Sequence, residues 1–507
     1  MSITEPAPAP AHGSSPQLKR GAISYLSNIV IGVASTAPGY SLAATIGFIA
    51  VIAGMGSHAP AVIIVSFVPM ICIAWAYKYM NNADPDCGTT FSWMSRTLGA
   101  GWGWVGGWTV LFADIVVNAN QAQIAGSYGF QLFGLTASTA EIIILGVAFI
   151  VILTWICWRG IELSARTQQF LLGFEMVTLI IFAVVALIKV YANHPKHSMT
   201  VSLDWFNPFS VGITPLSLGL LLGVFLYWGW DSGVSVNEET EDSSTAPGRA
   251  ALVSNVVLIG IFLLVTTAAQ AYSGPTYLAN NANDIFAGGL SKAVLGPLHI
   301  LLIIAVLTSA TAATQTTILP AARSALSMAR RGAIPARFGS IHERNLVPGY
   351  ATVVAGVLSV IWFIFIVLVS TNVLADCVTG LGFLVAFYYG FTGFTCTLFY
   401  RRELLKSARN FFMFGVLPSF GGGVLMFVFI RGFLYYGHAG NDSSPPFLGL
   451  GVPDWIGLFG IASGVILMLV RRATSPGFFK RERRMVFGDH IETVTPEAQF
   501  APADSML

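Results

Sequence analysis

The sequence has few charged residues and few cysteines. Asp, Glu, Lys and Arg make up only 10% of its 507 residues, whereas soluble domains usually carry about 25%. This scarcity excludes an ordinary water-soluble domain. The cysteines show no paired spacing, so we expect Cys72, Cys87, Cys157, Cys377 and Cys396 to be unpaired thiols. The histidines are scattered as well, and no metal site is predicted.

Motifs for chemical catalysis are also missing. The chain contains no G-x-x-x-x-G-K-[ST] string, which argues against ATP-driven pumping. It contains no visible combination of acid, base and nucleophile or metal ligands, so we predict no catalytic residues and no enzymatic activity. Nothing in it suggests a nucleic acid partner.

Long apolar runs, by contrast, fill most of the chain. Hydrophobic residues make up 55% of it, and a run of about 20 residues can cross a hydrocarbon core of roughly 30 Å. Twelve such segments cover approximately residues 24–54, 59–79, 100–132, 138–158, 167–191, 214–236, 250–272, 294–328, 349–370, 373–399, 411–435 and 453–471. The pattern predicts an all-α polytopic membrane protein with twelve transmembrane helices in a lipid bilayer.

Positive charge is distributed unevenly around these segments. With the amino terminus placed in the cytoplasm, only Lys189, Lys196, Lys292 and Arg431 of the 26 Lys and Arg residues lie outside. Cytoplasmic loops carry an excess of Lys and Arg. We therefore predict a multi-pass protein of the cell membrane with both termini in the cytoplasm. Residues 1–20 are expected to be a disordered tail without a signal peptide, and residues 473–507 a second cytoplasmic tail.

Helix-breaking residues interrupt the first and the sixth segment. Residues 35–41 read STAPGYS and residues 227–233 read YWGWDSG. Backbone groups freed at bilayer depth are tolerated where they line a polar cavity or are buried in protein. Breaks at this offset predict two inverted five-helix repeats, about 21–192 and 213–400, within a core of residues 21–400, followed by two helices in 401–472. The alternative is a proline kink in one helix and glycine packing in the other.

A broken helix offers two kinds of binding group. The amino-terminal end of a half-helix presents N–H groups that suit a carboxylate, and the carboxyl-terminal end presents carbonyls that suit an ammonium or a cation. A zwitterion satisfies both ends. The predicted binding residues at the breaks are Thr36, Ala37, Pro38, Gly39, Tyr40, Tyr227, Gly229, Trp230, Asp231 and Gly233.

Polar residues within the third and fifth segments add to this site. Asp114, Asn118 and Gln121 follow i, i+4, i+7 spacing and share one helix face. We predict that Asp114 and Asn118 line the substrate path, with Asp114 contacting an amine; the alternative is an interhelical hydrogen-bond seam. Glu175 lies in the apolar run FLLGFEMVTLIIF. An ionised carboxylate at helix centre costs about 2.5–3.5 kcal/mol, so Glu175 needs either a function or a hydrogen bond that keeps it neutral.

The end of the eighth segment resembles that of amino acid–polyamine–organocation permeases, whose pattern is roughly aaRxxxamARDGxLPxxf…P. The matching residues are Ala321-Ala322-Arg323, Met328-Ala329-Arg330, Gly332, Ile334-Pro335 and Phe338. Arg331 stands where these permeases usually have Asp, which puts in doubt any ion pair built on that Asp. The sixth segment resembles their Y-x-G-[FW]-[DE] pattern, followed by E-E, through Tyr227, Gly229, Trp230, Asp231 and Glu238-Glu239.

The resemblance implies a secondary active transporter that moves an amino acid or related amine by alternating access. Proton-coupled members often have Lys at the position of Glu175, so a carboxylate there implies a protonatable site of opposite charge. In sodium-coupled relatives, hydroxyls at the level of Thr308 and Ser309 complete a cation site; the alternative is ordinary bonding of these hydroxyls to their own helix. Proton-coupled import is the preferred interpretation. The alternatives are a polyamine or inorganic cation transporter, a Na⁺ symporter or an exchanger; no cofactor beyond the coupling ion is expected, and the oligomeric state is not predicted.

Overall fold

The computed structural model of the chain is helical throughout the part that it describes, residues 18–283, 285–438, 441 and 444–480. Its α-helices in chain order are α1 Tyr25–Thr36, α2 Pro38–Ala43, α3 Ile46–Val51, α4 Ala59–Ala83, α5 Thr90–Leu98, α6 Ala100–Gln131, α7 Thr139–Arg159, α8 Ile161–Asn193, α9 Ile213–Tyr227, α10 Ser232–Ser235, α11 Ala246–Asn280, α12 Ser291–Leu295, α13 His299–Arg330, α14 Gly349–Val369, α15 Val373–Phe399, α16 Ala408–Asn410, α17 Leu417–Tyr436 and α18 Val452–Thr474. The β pairing within this part consists of two isolated bridges, Ile23 with Thr240 and Phe447 with Leu450.

Eleven helical stretches in these residues are long and apolar enough to cross a membrane. The first predicted segment is absent from that set because it is divided into the short helices α1, α2 and α3. A left-handed Ala37 separates α1 from α2, and non-helical backbone at Thr45 separates α2 from α3. The predicted number of twelve spans and the inverted relation of the two halves remain predictions.

The helices differ in how much of their apolar surface other helices cover. In its most apolar stretch, α15 is 100% buried inside the protein, whereas the corresponding stretches of α7 and α14 are 22% and 28% buried. Large side chains such as Ile144, Ile152 and Ile361 are therefore exposed at the outside of the bundle. Apolar side chains facing outward are expected where lipid replaces water as the solvent.

Both predicted tails fall largely outside the described residues, namely at 1–17 and 481–507. The described end of the first tail is folded against the bundle, because Leu18 is buried beside Cys87 and Leu326. The second tail also begins with packed residues, since Phe478 lies in a cluster with Phe91 and Trp104. The described ends of both tails, at Leu18 and Phe478, thus pack on the bundle, and the bounds of the tails remain predictions.

Candidate functional site

The two predicted helix interruptions are present, and they touch each other. Pro38 occupies the first turn of α2, where a missing N–H costs nothing, and Ala37 before it has φ 50°. In the sixth segment, α9 ends at Tyr227 and Gly229 has φ 122°. A Cβ atom on Gly229 would lie 2.6 Å from the carbonyl oxygen of Ser35. Glycine is thus required there both by its backbone angle and by the close approach of the two interrupted segments.

A small polar cavity lies between the two interruptions. Its lining residues come from α1, α2, α6, α9, α10 and α13 and from the turn between α9 and α10: Ser35, Thr36, Tyr40, Ser41, Asp114, Val117, Gln121, Phe225, Trp228, Gly229, Ser232 and Thr317. The cavity measures about 10 Å³, roughly the space that one water molecule needs. A solute can occupy this position only when the surrounding helices move apart, so the structure represents a closed arrangement.

Four of the predicted binding residues line this cavity: Thr36, Tyr40, Asp114 and Gly229. The others lie around it. The Asn118 amide donates to Ser359 Oγ at 3.2 Å, toward α14. The hydroxyl of Tyr227 donates to the carbonyl of Ile63 at 3.2 Å. Ala37, Pro38 and Gly39 form the backbone of the first interruption, and the Gly233 carbonyl accepts a 2.8 Å hydrogen bond from Asn28.

Trp228, rather than the predicted Trp230, is the tryptophan beside the cavity. Trp230 is fully buried and packs edge-to-face on Tyr77. Trp228 lines the cavity, and its indole N–H donates to the hydroxyl of Tyr388. That hydroxyl donates to Asp231 at 3.1 Å, so Asp231 is linked to the cavity wall through two aromatic side chains.

Asp114 is a buried acid with an unsatisfied oxygen. Its residue surface is 3% exposed, it lines the cavity, and its Oδ2 atom has no hydrogen-bond partner among the described residues. Asp231 does not line the cavity and is connected to its wall through Tyr388 and Trp228. A buried carboxyl oxygen without a partner, such as that of Asp114, favours an occupant with positive charge.

Glu175 reaches the first interruption from α8. Its Oε1 atom accepts hydrogen bonds from the Gly39 N–H at 2.6 Å and from the Ser309 hydroxyl at 2.8 Å. The same hydroxyl accepts from the N–H of Tyr40 at 3.1 Å. The first amides of α2 are therefore occupied by side chains of this protein and are not free for a solute carboxylate in this conformation. The second oxygen of Glu175 is buried and has no partner in the described part of the chain.

The two predicted hydroxyls of α13 have different surroundings. Ser309 joins Glu175 to α2, whereas Thr308 donates to the carbonyl of Ala305 in its own helix at 3.0 Å. Farther along α13, Thr314 donates to the side-chain oxygen of Gln121 at 2.6 Å. Of the predicted coupling residues, the structure thus brings Glu175 and Ser309 together and leaves Thr308 aside.

A charged cluster closes one end of the bundle, where α4, α10 and α13 terminate. Arg323 and Glu239 form a two-point ion pair at 2.9 and 3.0 Å, with both side chains 1% exposed. Around it lie the pairs Arg330–Glu238 at 2.9 Å, Arg331–Asp86 at 2.7 Å and Arg96–Asp84 at 2.8 Å. This is the end that the distribution of Lys and Arg in the sequence predicts to face the cytoplasm.

Arg331, which departs from the permease pattern, forms one of these pairs. Burial alone would raise the pKa of its partner Asp86, but the charges of Arg331 and Arg96 and a hydrogen bond from Ser92 outweigh burial and hold that pKa well below its usual range. Asp86, Cys87 and Glu238 bring possible metal ligands within 4.8 Å of one another. Because arginines already pair with both carboxylates, this group is unsuited to a cation.

Several residues of the site were not predicted from the sequence. Tyr388 and Trp228 carry no helix-breaking or charge signal, and Arg323 and Glu239 were noted only as parts of patterns. A buried arginine in an apolar helix is itself a signal, since such a charge needs a partner.

Comparison with known proteins agrees with this geometry. Residues 23–461 match a family model described as amino acid permease. The chain is similar to the branched-chain amino acid permease BcaP of Lactococcus lactis, with 25% identity over 378 residues, covering 70% of this chain and 78% of that protein. It is also similar to the human Asc-type amino acid transporter 1, with 23% identity over 284 residues, covering 54% of this chain and 52% of that protein.

Among solved structures, the fold is similar to that of MhsT in complex with L-phenylalanine. The TM-score is 0.57 at 16% sequence identity, and the match covers 83% of this chain and 100% of that chain. At this level of identity the similarity concerns the fold alone.

Proposed function

The chain belongs to the amino acid permease family, within the amino acid–polyamine–organocation superfamily, and from this premise we propose proton-coupled import of an amino acid or related amine. It is a membrane-embedded transporter of amino acids. The observation that carries the finer proposal is the contact of Glu175 with the first interruption. Alternating access would then open the small polar cavity to either side of the cell membrane in turn.

The lining of the cavity supports an amino acid or amine as the solute. Hydroxyl groups of Ser35, Thr36, Ser41 and Ser232 can donate or accept hydrogen bonds, and Asp114 offers an unsatisfied carboxyl oxygen to an ammonium group. A hydrogen bond between an ionised carboxylate and an ammonium contributes about 1.5–3 kcal/mol. That contribution distinguishes an amine from a neutral solute of the same size.

The hydrogen bonds that Glu175 accepts support proton coupling. As an anion, Glu175 accepts strong hydrogen bonds from the Gly39 amide and the Ser309 hydroxyl and fixes α2 against α8 and α13. A protonated carboxyl group accepts such bonds less strongly, so protonation would loosen the interruption and free the Gly39 amide for a solute carboxylate. Proton binding and solute binding would then favour the same conformation, which is thermodynamic coupling.

Sodium coupling is the alternative for the same site. The free oxygen of Glu175 and the Ser309 hydroxyl are oxygen ligands of the kind that hard cations prefer. Thr308 would have to give up its hydrogen bond to Ala305 to join them.

A polyamine or an inorganic cation is the second candidate solute. Asp114 lines the cavity, and Asp231 is connected to its wall through Tyr388 and Trp228. These two acids favour it, because together they match a solute with more than one positive charge and no carboxylate. The N–H groups at the start of α2 would then have no solute carboxylate to bind.

Reconstitution of the protein in proteoliposomes tests these alternatives. Wild-type protein should exchange a labelled amino acid and should accumulate it when the pH outside is lower than inside. Glu175→Gln should keep the exchange, because the amide preserves shape, and should lose accumulation driven by the pH gradient, because it cannot bind the proton. The exposed Glu343 provides a control, and Glu343→Gln should accumulate solute like the wild type.

Each of the other possible outcomes tests one of the alternatives for the coupling ion or the solute. Concentrative uptake that is unchanged in Glu175→Gln would reject the coupling role of this residue. Accumulation driven only by a Na⁺ gradient would replace the proton by sodium. Counterflow of labelled putrescine without counterflow of any amino acid would establish the second candidate.

A further inference from the structure

A second cavity lies at the side of the bundle, apart from the central one. It measures about 300 Å³ and is bounded by α6, α13, α14 and α18. This volume is at the lower end of the roughly 300–1,000 Å³ typical of small-molecule sites. None of the residues that line it also lines the central cavity.

The loop after α13 forms one wall of this lateral cavity. Ile334, Pro335 and Phe338 line it, and they belong to the permease motif identified in the sequence. These three residues take no part in the central cavity or the charged cluster described above. Trp104 and Trp108 of α6 form another part of the wall. At the mouth, Leu467 and Val470 of α18 are 40% and 54% exposed, so the cavity opens toward the surface that faces lipid.

A single charged side chain, Arg471, lines this mostly apolar cavity, and no carboxylate does so in the part of the chain that the structure describes. The Arg471 guanidinium donates to the carbonyl of Ala333 at 3.1 Å, which holds it beside the loop after α13. Two further arginines are exposed next to lining residues: Arg337 precedes Phe338, and Arg472 follows Arg471. The polar end of the cavity is therefore positive.

We propose that the lateral cavity binds one acyl chain of an anionic phospholipid, with the phosphate of its headgroup on Arg471. The apolar wall excludes water and suits a hydrocarbon chain, and the bilayer supplies that chain at the mouth of the cavity. The positive-inside rule places Arg471 in the cytoplasmic leaflet, where anionic lipids are abundant and basic pockets between helices bind their headgroups. The proposal does not depend on the solute or on the coupling ion.

Quenching of tryptophan fluorescence tests the proposal directly, because Trp104 and Trp108 lie in the wall. The full-length protein in detergent micelles is titrated with phosphatidylglycerol whose acyl chains carry bromine, and with phosphatidylcholine carrying the same chains. We expect saturable quenching by phosphatidylglycerol at a concentration about fivefold lower than by phosphatidylcholine. Trp108→Phe should reduce the amplitude of this quenching, because it removes one of the two fluorophores in the wall.

Two pairs of variants separate the cavity from the general lipid surface. Ala355 of α14 lines the cavity, whereas Val357 of the same helix is 52% exposed and does not line it. Ala355→Phe should abolish the saturable component, and Val357→Phe should retain it. Arg471→Gln should remove the preference for phosphatidylglycerol, while Arg472→Gln, with the same change of charge, should keep most of it.

Equal quenching by the two lipids in the wild type would overturn the proposal. So would equal behaviour of Ala355→Phe and Val357→Phe, or of the two arginine variants, because the binding would then reflect diffuse contact with the micelle. Size-exclusion profiles identify any variant that is misfolded. In that case the quenching measured for Trp108→Phe still tests the proposal. If saturable binding disappears when residues 481–507 are removed, the chain's own tail forms part of the lipid site. That result would overturn the proposal that the cavity alone binds the lipid.

Discussion

At the scale of single residues, one hydroxyl connects three elements of the site. Ser309 on α13 donates to Glu175 on α8 and accepts from the Tyr40 amide at the start of α2. Among the described residues, the hydroxyl of its neighbour Thr308 bonds only to its own helix. Adjacent hydroxyls of the same helix therefore have different roles, and this difference can be measured.

Ser309→Ala should weaken the first interruption. The substitution removes one hydrogen bond to the Glu175 carboxylate and leaves the Tyr40 amide without its acceptor, and a buried unsatisfied group costs about 1–3 kcal/mol. We expect a lower unfolding temperature in detergent and a shift in the pH at which exchange is half-maximal. Thr308→Val is the matched control and should change neither quantity. If both variants behave alike, Ser309 does not connect the interruption to Glu175.

At the scale of secondary-structure elements, the interruptions are held by each other as well as by side chains. The hydroxyls of Ser35 and Ser232 are 2.7 Å apart, so α1 and α10 meet across the cavity. Gly229 packs directly on the backbone of Ser35 and Thr36. A backbone contact cannot relax by a change of rotamer, which makes this position sensitive to a single added carbon atom.

Gly229→Ala should abolish exchange. A non-glycine residue in this backbone conformation costs about 1–3 kcal/mol, and the added methyl would meet the Ser35 carbonyl oxygen at 2.6 Å. The measurement is exchange of labelled amino acid together with the unfolding temperature. Gly260 in α11 has no atom within 4 Å of an added Cβ atom, so Gly260→Ala should be neutral or stabilising. Normal exchange by Gly229→Ala would mean that the two interruptions separate before solute binds.

The elements at which the helices break were predictable from the sequence, but their side-chain partners were not. Pro38 and Gly229 signal backbone that leaves helical geometry whatever surrounds it. Which face of α6 meets the cavity depends instead on packing: Asp114 and Gln121 line it, while Asn118, on the same predicted face, turns to α14. Trp228 and Trp230 are two residues apart in non-helical backbone. No helical periodicity there predicts which of the two side chains lies beside the cavity.

At the scale of the whole molecule, the charged cluster at the predicted cytoplasmic end joins the sixth interruption to α13 and to the loop between α4 and α5. Glu239 follows the short helix α10, and its partner Arg323 lies in α13. Because the pKa of Asp86 is held well below its usual range, its pair with Arg331 stays charged at every pH near neutrality. A proton-driven change near neutral pH therefore does not arise at this pair, which is consistent with the proposal that it arises at Glu175.

Breaking the central ion pair should open this end of the molecule. Glu239→Gln leaves the Arg323 charge buried without its counter-charge, and loss of one partner of a buried pair costs about 3–5 kcal/mol. The Cys87 thiol donates to the Arg323 carbonyl at 3.6 Å and is fully buried. Burial, followed by the charge of Glu238, raises the pKa of Cys87, so the closed cluster makes it a poor nucleophile.

Maleimide labelling of Cys87 measures this opening, with the other four cysteines replaced by alanine. In inside-out vesicles at fixed pH, we expect slow labelling of otherwise wild-type protein and labelling at least tenfold faster in Glu239→Gln. The exposed Glu241 gives the control, since Glu241→Gln removes an acid from the same segment without touching the pair. Equal rates in all three proteins would show that the cluster stabilises the fold but does not hold the pathway shut. Fast labelling combined with lost accumulation and retained exchange would show that closure of this end is required for concentrative transport.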